Sequence, residues 1–152
     1  MHTDAIAVLD FWFGPPDDPG HTRPRPQWFQ KDDAFDDQIR QRFGPLVERA
    51  LVGGIDDWLA SPVQPLPALA RVIVLDQFTR NALRGTARAF AGDAMALHAA
   101  RALVASGADR ALTGVQRQFS GHLVHGLGQL IQPAQVGQVH AAAKLVQCHG
   151  GR

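Results

Sequence analysis

The sequence predicts an all-α protein, and three observations carry that expectation. Apolar residues recur at helical spacing, as in Phe35, Ile39 and Phe43, which lie four apart. Proline and glycine gather in clusters between such segments, as at Gly14-Pro15-Pro16, Gly44-Pro45 and Gly53-Gly54. No stretch alternates apolar and polar residues as a half-buried strand does, and the run Val72 to Leu75 is embedded in a longer helical pattern. Short connections between the segments imply an antiparallel helical array.

Thr3 or Asp4 is placed to cap a first helix ending near Phe13, with Ile6, Leu9 and Phe13 on one face and Trp12 beside it. Gly14-Pro15-Pro16 stops that helix. From there to Pro26 lie five of the ten prolines, which reads as an extended surface loop; Trp28 and Phe29 then return to the core. Asp32 or Asp33 caps a second helix. Gly44-Pro45 is expected to break or kink it, because proline lacks a backbone donor and collides with the preceding turn. A separate helical piece, Leu46 to Leu51, ends at Gly53-Gly54, and Ile55 to Leu59 brings Trp58 inward.

The next helix runs from Leu66 to Phe78 or Thr79. Gly85-Thr86 turns the chain, and Thr86 is placed to cap a long alanine-rich helix to Ser106, closed by Gly107. Phe90, Ala94, Leu97 and Leu103 mark its expected inner side. The aromatic residues Phe11, Trp12, Phe13, Trp28, Phe29, Phe35, Phe43, Trp58, Phe78 and Phe90 are assigned to packing rather than to a binding groove.

With 152 residues, 45% hydrophobic and 19% charged, the chain has the balance of one soluble globular domain. Apart from the glycine- and glutamine-rich tail, no window of 18 residues is charge-free and apolar enough to span a bilayer, and the start lacks the basic region of a secretion signal. The sole cysteine, Cys148, makes no internal disulfide, and a cytoplasmic location is the expectation. All 14 acidic residues fall within 1–109 beside 11 of the 15 basic ones, a net charge of −3. Residues 110–152 carry Arg110, Arg117, Lys144 and Arg152 and no acid, too thin a basic footprint for nucleic acid.

Chemistry concentrates between Leu75 and Asp93. Asp76 follows Leu69 by seven residues, Val72 by four and Ile73 by three, so it shares their apolar helix face. A carboxylate there must be paired, and Arg80 sits one turn on in the favoured acid-then-base order. Gln77 and Asn81 add amides, while Arg84 and the Thr86 hydroxyl stand beside the start of the next helix, together an anion-friendly pocket. Lys31, next to Trp28-Phe29, is a further candidate contact. The competing reading is structural: Asp76–Arg80 as an internal ion pair, Asn81 as a helix cap and Lys31 as a solvated lysine beside one.

Several segments in order resemble the DUF924 family, bacterial proteins of unknown function with a tetratricopeptide-like helical fold. They are Val8-Leu9-Asp10-Phe11-Trp12-Phe13-Gly14, Trp28-Phe29-Gln30-Lys31-Asp32 with Phe35-Asp36, Leu75 to Asn81, and Arg84-Gly85-Thr86 with Ala89-Phe90-Ala91. The resemblance covers about residues 5–119 and implies a helical domain over 1–119. Two residues depart from the family's habit: Thr79 stands for a proline and Ala82 for an aromatic. After Phe119 the family continues with a Tyr-x-Pro-Phe-x-His-Ser-Glu segment and further helix. Here Ser120-Gly121-His122-Leu123 follows instead. The acid-free tail 120–152 is therefore expected to be the product of a frameshift near Phe119, or else a divergent tail with a helix over Gln135 to Gln147.

His122, His125, His140, Cys148 and His149 lack the paired spacing of a metal site, and there is no glycine-rich phosphate loop, so no metal or cofactor is expected. Two functions stay open. One is binding, of a small anionic ligand by Gln77, Arg80, Asn81, Arg84, Thr86 and Lys31, or of a peptide or protein partner in the concave groove that the resemblance implies. The other is an enzyme acting on a small anionic substrate with Asp76 as proton acceptor. Neither nucleic acid nor membrane is an expected partner.

Overall fold

The structure, a computed structural model, describes residues 2–125. Among these the fold is all-α, a packed array of helices with short 3-10 turns between them and no strand. Helix α1 spans Thr3–Phe13, α2 Asp33–Leu51, α3 Pro65–Val72, α4 Thr79–Ala82, α5 Asp93–Ala105 and α6 Gly114–Val124. A π-helical turn, Ile73–Phe78, joins α3 to α4 without a break.

The α1 cap is His2, so Thr3 and Asp4 lie inside the first turn rather than before it. Ala5, Val8, Leu9, Trp12 and Phe13 form its buried face, and Ile6, expected inside, is on the exposed side. Gly14 ends the helix with a positive φ of 83°, its N–H donating to the Asp10 carbonyl at 3.0 Å. The proline-rich loop is then tied back, Arg25 Nη1 donating to the Phe11 carbonyl at 3.0 Å.

Asp32 caps α2, accepting the Phe35 N–H at 3.0 Å. The expected break at Gly44-Pro45 does not occur: α2 runs through Pro45 to Leu51. Phe35, Ile39 and Phe43 before the proline, and Leu46, Val47 and Ala50 after it, all face the core. Burial of side chains of this size contributes about 1.5–3 kcal/mol each for the larger ones. Leu46 and Val47 together, at about 3–6 kcal/mol, therefore offset the roughly 3 kcal/mol an internal proline costs.

The run 65–82 is the centre of the molecule. α3 packs on α1, α5 and α6, while the π turn packs on α2 and α5. Every residue from Ala68 to Ala82 is buried, the pattern of a helix covered on all sides. The run also extends past Thr79, its expected end. Thr79 donates its N–H to the Val74 carbonyl five residues back, and its Oγ1 reaches the same oxygen at 2.9 Å. Nearby, buried Arg71 donates Nη1 to the Ile55 carbonyl at 2.9 Å and to Asp56 Oδ1 at 2.7 Å, holding the Trp58 turn against α3.

The long helix expected from Thr86 starts later, at Asp93. Residues Ala87–Phe90 form a 3-10 turn, and Gly92 lies against the π turn so closely that a Cβ there would stand 2.1 Å from the Leu75 carbonyl oxygen. That contact forces the chain to bend before α5 begins. The inner face of α5 is consequently Ala96, Ala99, Ala100 and Leu103; Phe90 and Ala94 are exposed and Leu97 only half-buried. A capping box opens α6, with Gln116 N–H on Thr113 Oγ1 at 3.2 Å and Thr113 N–H on Gln116 Oε1 at 3.0 Å. Phe119, inside α6, packs edge-on against Trp12, Phe13 and Trp28. Of the aromatic residues assigned to the core, Phe29 joins Phe90 outside it.

Candidate functional site

The all-round burial of 68–82 places Asp76 and Arg80 at the centre of the fold, with 0% and 2% of their surfaces exposed. Arg80 Nη2 lies 3.0 Å from Asp76 Oδ1, the pair expected from their spacing. The same Nη2 lies 3.0 Å from Asp93 Oδ1, on the first residue of α5. One guanidinium therefore bridges two carboxylates. Gln77 Nε2 donates to Asp76 Oδ2 at 2.7 Å, fixing the inner carboxylate.

A second arginine extends the cluster outward. Arg84 Nε donates to Asp36 Oδ2 at 2.7 Å, and its Nη2 reaches Asn81 Oδ1 at 3.2 Å. Asp36 is buried on α2, while the Arg84 side chain keeps 27% of its surface exposed. Asn81 thus serves as a partner of Arg84. Phe90 lies with its ring centroid 5.5 Å from the Arg80 guanidinium carbon, and 54% of it is open to solvent.

Three carboxylates (Asp36, Asp76 and Asp93) thus surround two guanidiniums. Burial holds the Asp76 carboxyl well above the ordinary aspartate range, at about 6, although Arg80 and the Gln77 hydrogen bond pull it down; Asp93 adds a further push upward. A carboxylate with that proton affinity changes charge close to neutral pH.

The other two candidates stand apart from this network among the described residues. Thr86 Oγ1 donates to the Leu83 carbonyl at 2.7 Å and is exposed. Lys31 is exposed, 3.6 Å from Asp33, and lines a small cleft with Pro26, Gln27, Gln30 and Asp32. His122 and His125 line a cleft of about 290 Å³ with Gln118 and Gly121. His140, Cys148, His149 and the expected helix from Gln135 to Gln147 lie outside the described residues.

Neither Asp36 nor Asp93 was among the candidate site residues that the sequence offered. Asp36 carried a usable signal, since Ile39 and Phe43 follow it by three and seven residues on the apolar face of α2. Asp93 carried none, because its approach to Arg80 depends on the bend at Gly92.

A sequence profile of the bacterial proteins of unknown function DUF924 matches residues 8–130, well over half of the chain. The chain belongs to the DUF924 family. Its structure is similar to that of a protein of unknown function from Agrobacterium tumefaciens, at 33% identity and a TM-score of 0.64. That likeness covers 78% of this chain and 61% of the other, so this DUF924 chain spans less than two thirds of that relative. No curated protein matches it. No helix among the described residues is long and apolar enough to cross a membrane.

Proposed function

We propose that this DUF924 protein binds a small anionic ligand where the arginine–carboxylate cluster meets the surface. The observation that carries the reading is the graded exposure of the cluster. A buried guanidinium, Arg80, is followed outward by part-exposed Arg84 and Asp93 and by the half-open ring of Phe90. Arginines pre-oriented by carboxylates present a fixed fork to an oxyanion, and a neighbouring aromatic face receives an apolar portion. Thr86 and Lys31, whose contacts lie with Leu83 and Asp33 instead, carry no part of this proposal.

The double variant Asp36→Asn with Arg84→Gln tests it. It removes both charges of the outer pair and so strands neither partner in the interior. Wild-type protein is expected to gain thermal stability in some member of a panel of small carboxylates and phosphate esters. At a hundredfold excess over Kd the gain is about 2.7 kcal/mol, several degrees of melting temperature. The double variant is expected to fold and show no gain. An equal gain in both proteins, or none in the wild type across the panel, contradicts the reading.

The raised proton affinity of Asp76 supports a second reading, an enzyme on a small anionic substrate with Asp76 as proton acceptor and the arginines stabilising charge. It ranks second because Asp76 has no exposed surface. Turnover that declines below about pH 6 is its signature. A concave groove for a peptide or protein partner, in a tetratricopeptide-like array, has fold analogy alone behind it.

A further inference from the structure

A second cluster, outside the arginine–carboxylate network, lies at the end of α6. We propose that Gln118, His122 and His125 hold a divalent transition-metal ion that favours imidazole, such as Zn²⁺, in the cleft that they line. The three follow one another at steps of four and three residues, so they form one stripe along the helix. With Gly121 they line a cleft of about 290 Å³, ample for an ion and its water. A Cβ built on Gly121 would stand 3.9 Å from Cδ2 of the His125 ring. That ring therefore leans back along the stripe, the direction in which His122 lies, and the missing side chain of Gly121 keeps the floor of the cleft open. Neither imidazole is engaged in a hydrogen bond or ion pair among the described residues.

The sequence argues against a metal because no second pair accompanies these histidines. Among the described residues no three of His, Cys, Asp and Glu gather either. Both observations bear on a closed structural site with four such ligands. An open site needs three protein ligands and leaves the remaining place to water. The Gln118 amide oxygen, one turn before His122, is placed to be the third. Two imidazoles with an amide oxygen suit zinc, nickel and copper, whereas Mg²⁺ and Ca²⁺ require oxygen ligands throughout.

Zn²⁺ titration of the full chain, followed through its imidazole ¹⁵N resonances, tests the site. His122 and His125 are expected to shift together and saturate at one ion per chain, while exposed His2 and His98 stay in place. Mg²⁺ at the same concentration should move neither ring. His122→Ala and His125→Ala are each expected to weaken binding by about tenfold or more, because each removes one arm of a chelating pair. Gln118→Ala should weaken it severalfold. None of the three side chains belongs to the core, so without metal these variants should melt as the wild type does. A triple variant, His140→Ala with Cys148→Ser and His149→Ala, is expected to bind Zn²⁺ as tightly as wild type. Loss of binding in that variant would move the ion to residues 126–152 and overturn the proposal. So would separate midpoints for His122 and His125, an equal response at His98, or no shift at all. Wild-type affinity in any of the three alanine variants would overturn it as well.

Discussion

Arg80→Met is expected to lower the unfolding free energy by about 3–5 kcal/mol at neutral pH, the scale found when one member of a buried pair is removed. Methionine fills much of the volume, so the loss reports charge rather than a cavity. It leaves Asp76, with no exposed surface, without its cation. The loss should depend on pH in a definite sense. Asp76 binds its proton more tightly folded than unfolded, at about 6 against an ordinary 3.8, so its contribution to stability is complete below about pH 4. That contribution fades as pH rises to about 6 and changes no further above it. Without Arg80 the folded-state value rises again, because the arginine was pulling it down. The variant therefore goes on losing stability above pH 6, and urea unfolding at pH 5 and pH 8 should show a deficit that widens at the higher pH. An equal deficit at both would mean that Asp76 is not the group left uncompensated.

Gly92→Ala is the other large effect. The added Cβ would stand 2.1 Å from the Leu75 carbonyl oxygen and 2.9 Å from its carbon. Both are backbone atoms of the central π turn, so no side chain can swing aside. Overpacking of a core costs typically about 1–3 kcal/mol, and an immovable neighbour puts this site at about 3 kcal/mol or above. Gly85→Ala is the matched control, since Gly85 has a positive φ of 82° and open space around it. Its cost is backbone strain alone, about 1–2 kcal/mol. Urea denaturation of the two variants should place Gly92→Ala clearly lower. If it costs no more than Gly85→Ala, the close crossing of α5 over the π turn is wrong.

What could be read from the sequence follows the range of the interactions. The end of α1 at Phe13, the Asp32 cap and the core face of α2 were legible because a cap or a helical period is written in adjacent residues. The Asp76–Arg80 pair was legible for the same reason, being one turn apart on an apolar face. The capping box Thr113 to Gln116 was equally local and announces α6 at residues where no helix had been assigned. Pro45 misled because its cost is local while the burial of Leu46, Val47 and Ala50 that outweighs it is tertiary. Thr86 misled in a similar way: a good capping residue precedes only a 3-10 turn, because Gly92 must first clear Leu75.

The same distinction divides the site. Asp76, Gln77, Arg80, Asn81 and Arg84 lie within nine consecutive residues and form two neighbouring groups, Asp76 with Gln77 and Arg80, and Asn81 with Arg84. Asp36 lies 48 residues before Arg84, and Asp93 comes from the next helix. These distant carboxylates change the reading of the arginines. Arg80 and Arg84 are cations already engaged by carboxylates, so a ligand has to compete for them. The π turn gave no signal in the sequence, since residues 73–78 are as apolar as the α-helix before them apart from Asp76 and Gln77. Phe29, Phe90 and Ile6 show the limit of residue type as a guide, because position on the surface decided their exposure.

The most direct test of the anion site is to follow the arginine Nε–H resonances of ¹⁵N-labelled wild-type protein during titration with benzoate and with inorganic phosphate. Arg80 and Arg84 are expected to shift together and saturably with at least one of the two. Arg40 and Arg88, which pair with Asp37 and Glu48 on the exposed surface, should respond only weakly. A shift of the same size at Arg40 and Arg88, or none at Arg80 and Arg84, would show that the cluster binds no such anion and serves only to hold the helices together.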